Sequence, residues 1–306
     1  MNAAGFSLAE ALVSLALTMT VTGAALALTL PASRVSMTQP EVMDVQQRAR
    51  VAAEMIARDL SSAGAGIYAG PRRGVLSGAI PAVWPRRIGA VNGDAAHMAR
   101  ATAITMLSVT QTAAQTTTAT PIGPGALSLV TEAAPNCGAA VLCGLTAGQD
   151  VLVTDGTGHA DIFRITRVIG ATATLRHHGQ DLAWSYPSGS SVTQVVSRTF
   201  EYDAALRQLR QYDGDQSDQP AVDHLVGVSF SYLVSSAGGL APLPLSELID
   251  GPWIGAGTMR FDADVLRVRA IRVNVGAEAA DVRLRARVPV FGVSLDVAPR
   301  NLSVGR

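Results

Sequence analysis

From Phe6 to Leu30 the chain reads FSLAEALVSLALTMTVTGAALALTL, 25 residues with a single charge, Glu10. At 1.5 Å per residue a helix of this length spans about 37 Å, and roughly 20 residues suffice to cross the hydrocarbon core of a bilayer. The composition makes this run stand out. The chain has 306 residues, of which 48% are hydrophobic and only 16% charged, against an ordinary charged share of about 25%. All 24 basic residues are arginine and they balance 24 acids. Chains rich in one sign of charge and poor in apolar residues stay disordered, so that class is excluded. The zero balance argues against a protein that holds nucleic acid by bulk charge. Two cysteines are too few for a disulfide-built mini-protein.

Three kinds of segment could produce the apolar run. A cleaved secretory signal needs a basic start and a small-residue cleavage site. Ala25-Leu26-Ala27 could serve as the site, but MNAAG has no basic residue and Glu10 sits inside the run. A plain anchor has no reason to keep a carboxylate, which costs about 2.5–3.5 kcal/mol at the centre of an inserted helix and less near its end. Glu10 is expected to need a partner from outside its own helix. The third possibility is a specialised export-and-assembly helix.

Gly5-Phe6-Ser7-Leu8-Ala9-Glu10 resembles the class III signal of type IV prepilins and pseudopilins. The resemblance implies cleavage by prepilin peptidase between Gly5 and Phe6, N-methylation of Phe6, and Glu10 as the carboxylate that sets assembly register. A carboxylate buried in lipid can be neutralised by the α-amino group of Phe6 on a neighbouring subunit, since unpaired charge is heavily penalised there. The leader lacks the basic residues common in the family, and Ala9 is smaller than the branched residue often found at its position.

Beyond the run, Pro31 and Pro40 are expected to kink or locally melt the helix. Val42, Val45, Ala49, Ala52, Ile56, Leu60 and Ala63 then recur at steps of three and four, which predicts an amphipathic helix ending near Gly64 and Gly66. The expected domains are a leader at 1–5, a transmembrane and assembly helix at 6–30, its amphipathic continuation at 31–66, and a β-rich periplasmic head at 67–306.

Strands are expected in the head where apolar residues alternate and where short runs are separated by glycine-containing turns or joined as a hairpin. The runs are Asp150–Thr154, Asp161–Ile169, Thr172–Arg176, a Thr199–Asp203 and Gln208–Tyr212 hairpin, Val226 through Val234, Ile271 through Val275, and Val288–Val297. Thr112–Pro124 reads as loop, and Gly70–Ile88 as irregular. Within the latter, Arg72-Arg73 and Arg86-Arg87 read as exposed basic pairs beside prolines. The fold class is therefore α+β, a long N-terminal helix packed on a β-rich, pilin-like head.

The head adds to the resemblance. Arg198-Thr199-Phe200-Glu201-Tyr202-Asp203 is followed by Leu206-Arg207-Gln208-Leu209-Arg210, then by Gln219 through Val226 and Val228-Ser229-Phe230-Ser231-Tyr232. Together with Val297-Ala298-Pro299-Arg300-Asn301-Leu302 at the end, these resemble PilW-type minor pilins and, in the same places, the type II secretion minor pseudopilin J. The resemblance implies a non-enzymatic protein whose partners are other minor pilins, the major pilin, prepilin peptidase, the inner-membrane assembly platform and the bilayer. It implies an inner-membrane location before assembly and a pilus fibre or tip afterwards. A membrane-tethered exported binding module is the alternative from another class.

Other chemistry is thin. Cys137 and Cys143 lie six apart. An exported head favours a disulfide there, worth about 2 kcal/mol for so short a loop. Free buried thiols, or half of a metal site, remain the other readings. Asp213, Asp215 and Asp218 miss the EF-hand spacing and read as a solvated turn. His177 and His178 read as surface or loop residues facing opposite sides, and His97, His159 and His224 as isolated. No GxSxG, HExxH or P-loop pattern occurs, so no cofactor, metal or catalytic group is expected. Arg260 to Arg306 holds nine arginines against five acids. Without interleaved aromatics this argues for solvated faces, not nucleic acid.

Overall fold

A computed structural model describes residues 7–65, 80–89, 92–132, 142, 144–155, 157, 159–178, 182–214, 217–255 and 259–299, with backbone alone at 30–37. Gly5, Phe6, Arg72, Arg73, Cys137, Cys143 and Asp215 lie outside the described residues.

A single helix, α1, runs from Leu8 to Ser62. Contrary to the expected interruption, it passes unbroken through Pro31 and Pro40. A proline inside a helix costs about 3 kcal/mol, and here each flank is long enough to carry it. Downstream of Pro40 the periodic stripe supplies the packing. Val45, Ala49, Ala52, Ile56, Leu60 and Ala63 are each at most 1% exposed, and Ala53 joins them. Four alanines on this face let the sheets come close to the helix axis. The helix stops where Gly64 adopts φ +76°, and the Gly64 amide donates to Leu107 O at 2.7 Å, passing the chain directly to the sheet.

The strands are β1 (Val83–Trp84), β2 (Ala103–Ser108), β3 (Gln115–Thr117), β4 (Ser128–Val130), β5 (Asp150–Thr154), β6 (Ala160–Arg164), β7 (Arg167–Ile169), β8 (Thr174–Arg176) and β9 (Ser191–Asp203). They continue with β10 (Gln208–Tyr212), β11 (Asp218–Val222), β12 (Leu225–Ser236), β13 (Gly239–Leu243), β14 (Trp253–Ile254), β15 (Phe261–Asp262), β16 (Val268–Ala277) and β17 (Phe291–Val297). The architecture is α+β.

The thirteen-residue β9 organises the larger sheet. Its second half pairs with β2 on one side and β10 on the other, and its first half with β3 and β5. A second sheet runs β13-β12-β16-β17, all antiparallel. The two sheets and the second half of α1 share one core, in which Ile56 and Leu60 join Ile104, Phe200, Phe230, Tyr232, Ile271 and Val273. Arg198 Nη1 donates to Asp59 Oδ2 at 2.8 Å, tying β9 to the helix. A smaller core around Val151, Phe163, Leu175 and Tyr186 fills the other end of the head.

Several expectations need correction. Val226 is 38% exposed and Leu225 is buried instead, because an irregularity between Leu225 and Gly227 shifts the register before Val228, Phe230 and Tyr232 turn inward. Thr112–Pro124 contains β3, and Gly70–Ile88 contains β1; Asp161–Ile169 splits into two strands, and the last strand begins at Phe291.

The Arg86-Arg87 pair is not an exposed loop. Arg86 is 2% exposed and lies over the Trp84 ring at 5.4 Å, and its Nη2 donates to the carbonyl of Arg260. Burial lowers its guanidinium to about 10, against the opposing pull of Asp94, so it stays charged at neutral pH. Arg87 and Arg100 both donate to Asp94, at 3.2 and 2.7 Å, and both pair with Glu201. Partners from a distant stretch of chain thus bury what looks locally like a basic turn.

Ile56→Ala should remove about 3 kcal/mol of stability, whereas Met43→Ala, 70% exposed on the same helix, should stay within about 0.5 kcal/mol. Chemical denaturation of the two variants checks the assignment of faces.

Candidate functional site

Two regions carry concentrated chemistry, the free half of α1 and a polar cluster in the head. The free half is a 22-residue segment, Leu8–Thr29, long and apolar enough to span a membrane and buried by none of the described residues. Its leucines, valines and methionine stand open, from Leu15 and Leu26 at 53% to Leu8 at 82%. No helix of a water-soluble domain keeps such a surface without a partner or a lipid phase. Three of its hydroxyls bond back to the helix: Thr18, Thr20 and Thr29 donate to the carbonyls of Ser14, Ala16 and Leu26 at 2.7, 2.5 and 3.4 Å. Internal satisfaction of this kind is what hydrocarbon demands.

Glu10 sits in the first turn. Contrary to expectation, it does find a partner beside it. Ser7, with φ −77° and ψ 148°, caps the helix; its Oγ accepts from the Glu10 amide at 3.2 Å, and Glu10 Oε2 accepts from the Ser7 amide at 3.3 Å. This is a reciprocal capping box, which occupies two otherwise unpaired amides and places a negative charge at the positive end of the helix dipole. The signal was present in the sequence as Ser-x-x-Glu before an apolar run. Only one carboxylate oxygen makes this bond, and among the described residues the other has no donor.

In the head, β5 and β6 present Asp155, His159 and Asp161. The Asp155 carboxylate accepts from the Thr157 and His159 amides, both at 2.9 Å, from Thr157 Oγ1, and from His159 Nδ1 at 2.8 Å. His159 stacks on Trp184, with ring centroids 4.3 Å apart, so it is not isolated. Asp161 Oδ2 accepts from the Ala183 and Trp184 amides and from the Tyr186 hydroxyl at 2.7 Å. Burial lifts Asp161 above its usual range despite these donors, and burial with the adjacent Asp161 drives the Tyr186 hydroxyl far upward, fixing it as a donor. The cluster is a clasp that holds the 155–161 turn against 183–186. Both oxygens of Asp155 and the Oδ2 of Asp161 are taken up by these local donors.

The other histidines divide. His177 is buried against Phe163, with its Nδ1 2.8 Å from the carbonyl of His178, which corrects its surface reading. His178 and His97 are exposed. Asp213 and Asp218 are exposed, and Asp218 pairs with Arg210 at 2.7 Å.

One acidic group escaped sequence reasoning. Asp250, Asp262 and Asp264 bring carboxylate oxygens within 4.8 Å of one another. The two oxygens of Asp262 accept from the Gly251 and Asp264 amides, and Asp264 pairs with Arg267 at 2.9 Å. Those bonds account for the grouping as the framework of a turn.

Burial raises the Asp155 carboxyl, but the bonds from His159 and Thr157 outweigh it and hold it near about 2. The unfolded value is about 3.9, so this stabilisation is complete above that value and lost as pH falls through the folded one. Denaturation midpoints should therefore drop more steeply between about pH 4 and pH 2 for the native protein than for Asp155→Asn; equal slopes would contradict the clasp. Compared with models of protein families and with curated proteins, the chain matches neither.

Proposed function

We propose that the protein is a PilW-type minor pilin, inserted in the inner membrane by the Phe6–Leu30 segment, processed by prepilin peptidase after Gly5, and used to prime or cap a type IV pilus. The observation that carries this reading is the division of α1. One continuous helix has an apolar half that nothing in the protein covers, with its single acid in the first turn, and a half that forms the spine of the head's core. A subunit built this way can rest in a bilayer and later exchange lipid for neighbouring helices without refolding its head. Glu10 then recruits the α-amino group of Phe6 on the next subunit, a contact worth most where water is excluded. The head meets other minor pilins and the major pilin. A type II secretion minor pseudopilin of the J type would use the same parts.

The capping box favours a second reading. If Ser7 and Glu10 do no more than cap the helix, the chain is a tethered exported module and the carboxylate has no assembly role. Two substitutions separate these readings, because glutamine keeps the cap bond and loses the charge. Glu10→Ala and Glu10→Gln should both yield protein that is made and processed but poorly recovered in sheared pili. Normal recovery of the glutamine variant alone would assign Glu10 to capping, and normal recovery of both would contradict its assembly role.

A further inference from the structure

The arginine-rich C-terminal stretch divides once its partners are known. Arg267 pairs with Asp264, Arg272 with Asp296 and Arg285 with Glu278, and Arg260 lies over the Trp253 ring at 4.6 Å. Arg283 and Arg287 are exposed, and no acid among the described residues pairs with either. Both lie in the connection between β16 and β17. Leu284 and Val288 of that connection pack into the main core, and the Val288 amide donates to Leu284 O at 2.8 Å. With those two turned in, Val282 and Val290 are left 69% and 58% exposed beside the two arginines. Asp281 is the acid nearest in sequence, and its Oδ1 accepts from the Arg283 amide at 2.8 Å.

The position of this loop gives the pattern a meaning. It is pinned to the first turns of α1 that the head grips: Ala280 N donates to Glu41 Oε1 at 2.5 Å, and Arg48 Nη1 donates to Glu278 O at 3.2 Å. Glu41 lies twelve residues beyond Thr29, the end of the candidate span, or about 18 Å along a helix. The polar headgroup layer covers about 5–7 Å of that distance, and an arginine side chain with a screening length of about 8–10 Å covers the remainder.

We propose that the 281–290 loop is a lipid-facing foot, on which Arg283 and Arg287 are drawn to anionic phospholipid headgroups. Exposed arginines without an acid partner among the described residues suit that boundary, where a guanidinium extends on its aliphatic stem towards phosphate. The foot would hold the head at a fixed angle to the membrane before assembly. The proposal rests on α1 spanning the bilayer.

Hydrogen exchange of the full chain in nanodiscs tests it. In discs of phosphatidylcholine with phosphatidylglycerol, amides of 281–290 should exchange more slowly than in phosphatidylcholine alone, by about fivefold for each arginine held at the surface. Amides of β16 should not change. Arg283→Ser with Arg287→Ser should abolish the difference, and inorganic phosphate added to phosphatidylcholine discs should not reproduce it. Equal exchange in the two lipids, protection that survives the double substitution, or protection by phosphate alone would overturn the proposal. Carbonate-resistant flotation with phosphatidylcholine vesicles reads the span separately. Its loss contradicts the membrane reading, whereas intact flotation with lipid-independent exchange contradicts the foot alone.

Discussion

Ala49, Ala52, Ile56 and Leu60 leave no surface to solvent, and both large sheets close on that one stripe of α1. The rest of the molecule follows from this contact. An isolated helix of this kind would not hold its geometry in water, since helical stability in proteins comes mostly from packing an apolar face. Once the stripe is buried, helical pairing propagates backwards through Pro40 and Pro31 into a segment that the protein itself does not cover. The same rod therefore meets two solvents. Protein interior covers its second half, and only lipid or other helices could satisfy the first. Burial in the head fixes the direction in which the free half leaves, and the contacts of Glu41 and Arg48 with the β16–β17 connection fix where the head begins.

Much of this was legible because it is periodic. The seven stripe positions on α1 follow steps of three and four, and the structure leaves six of them at most 1% exposed. Strand β16 follows from local alternation and β5 and β10 from short runs bounded by turns, and β5 and β10 begin and end where those runs do. What was not legible depends on contacts distant in sequence. Arg86 is buried by the carbonyl of a residue 174 positions away, and nothing in Pro-Arg-Arg signals that. Val226 shows the same limit at short range: period two assumes a regular ladder, and one irregularity reverses the facing of the residue before it. His177 is buried by Phe163, a neighbour in space supplied by β6.

Glu10 is the one charge of the apolar run, and Ser7 three residues before it makes it half of a capping box. The capping box gives the carboxylate a local function that requires no partner subunit. This cap is compatible with the assembly role proposed for Glu10, since one oxygen serves the Ser7 amide and the second has no donor among the described residues. In lipid the cap also matters more than in water, because amides at a helix start have no solvent to turn to. A residue that both begins the helix and awaits an ammonium group would place the start of the rod and the register of assembly at the same point.

On the proposed pilin reading, the apolar half of α1 is an assembly helix produced by a dedicated cleavage, not an ordinary anchor or a discarded signal. The intact mass of the protein purified from membranes or sheared fibres measures this directly. The account predicts a chain that begins at Phe6 and carries one additional methyl group on its amino terminus. A chain that begins at Met1, or after Ala27, would contradict it.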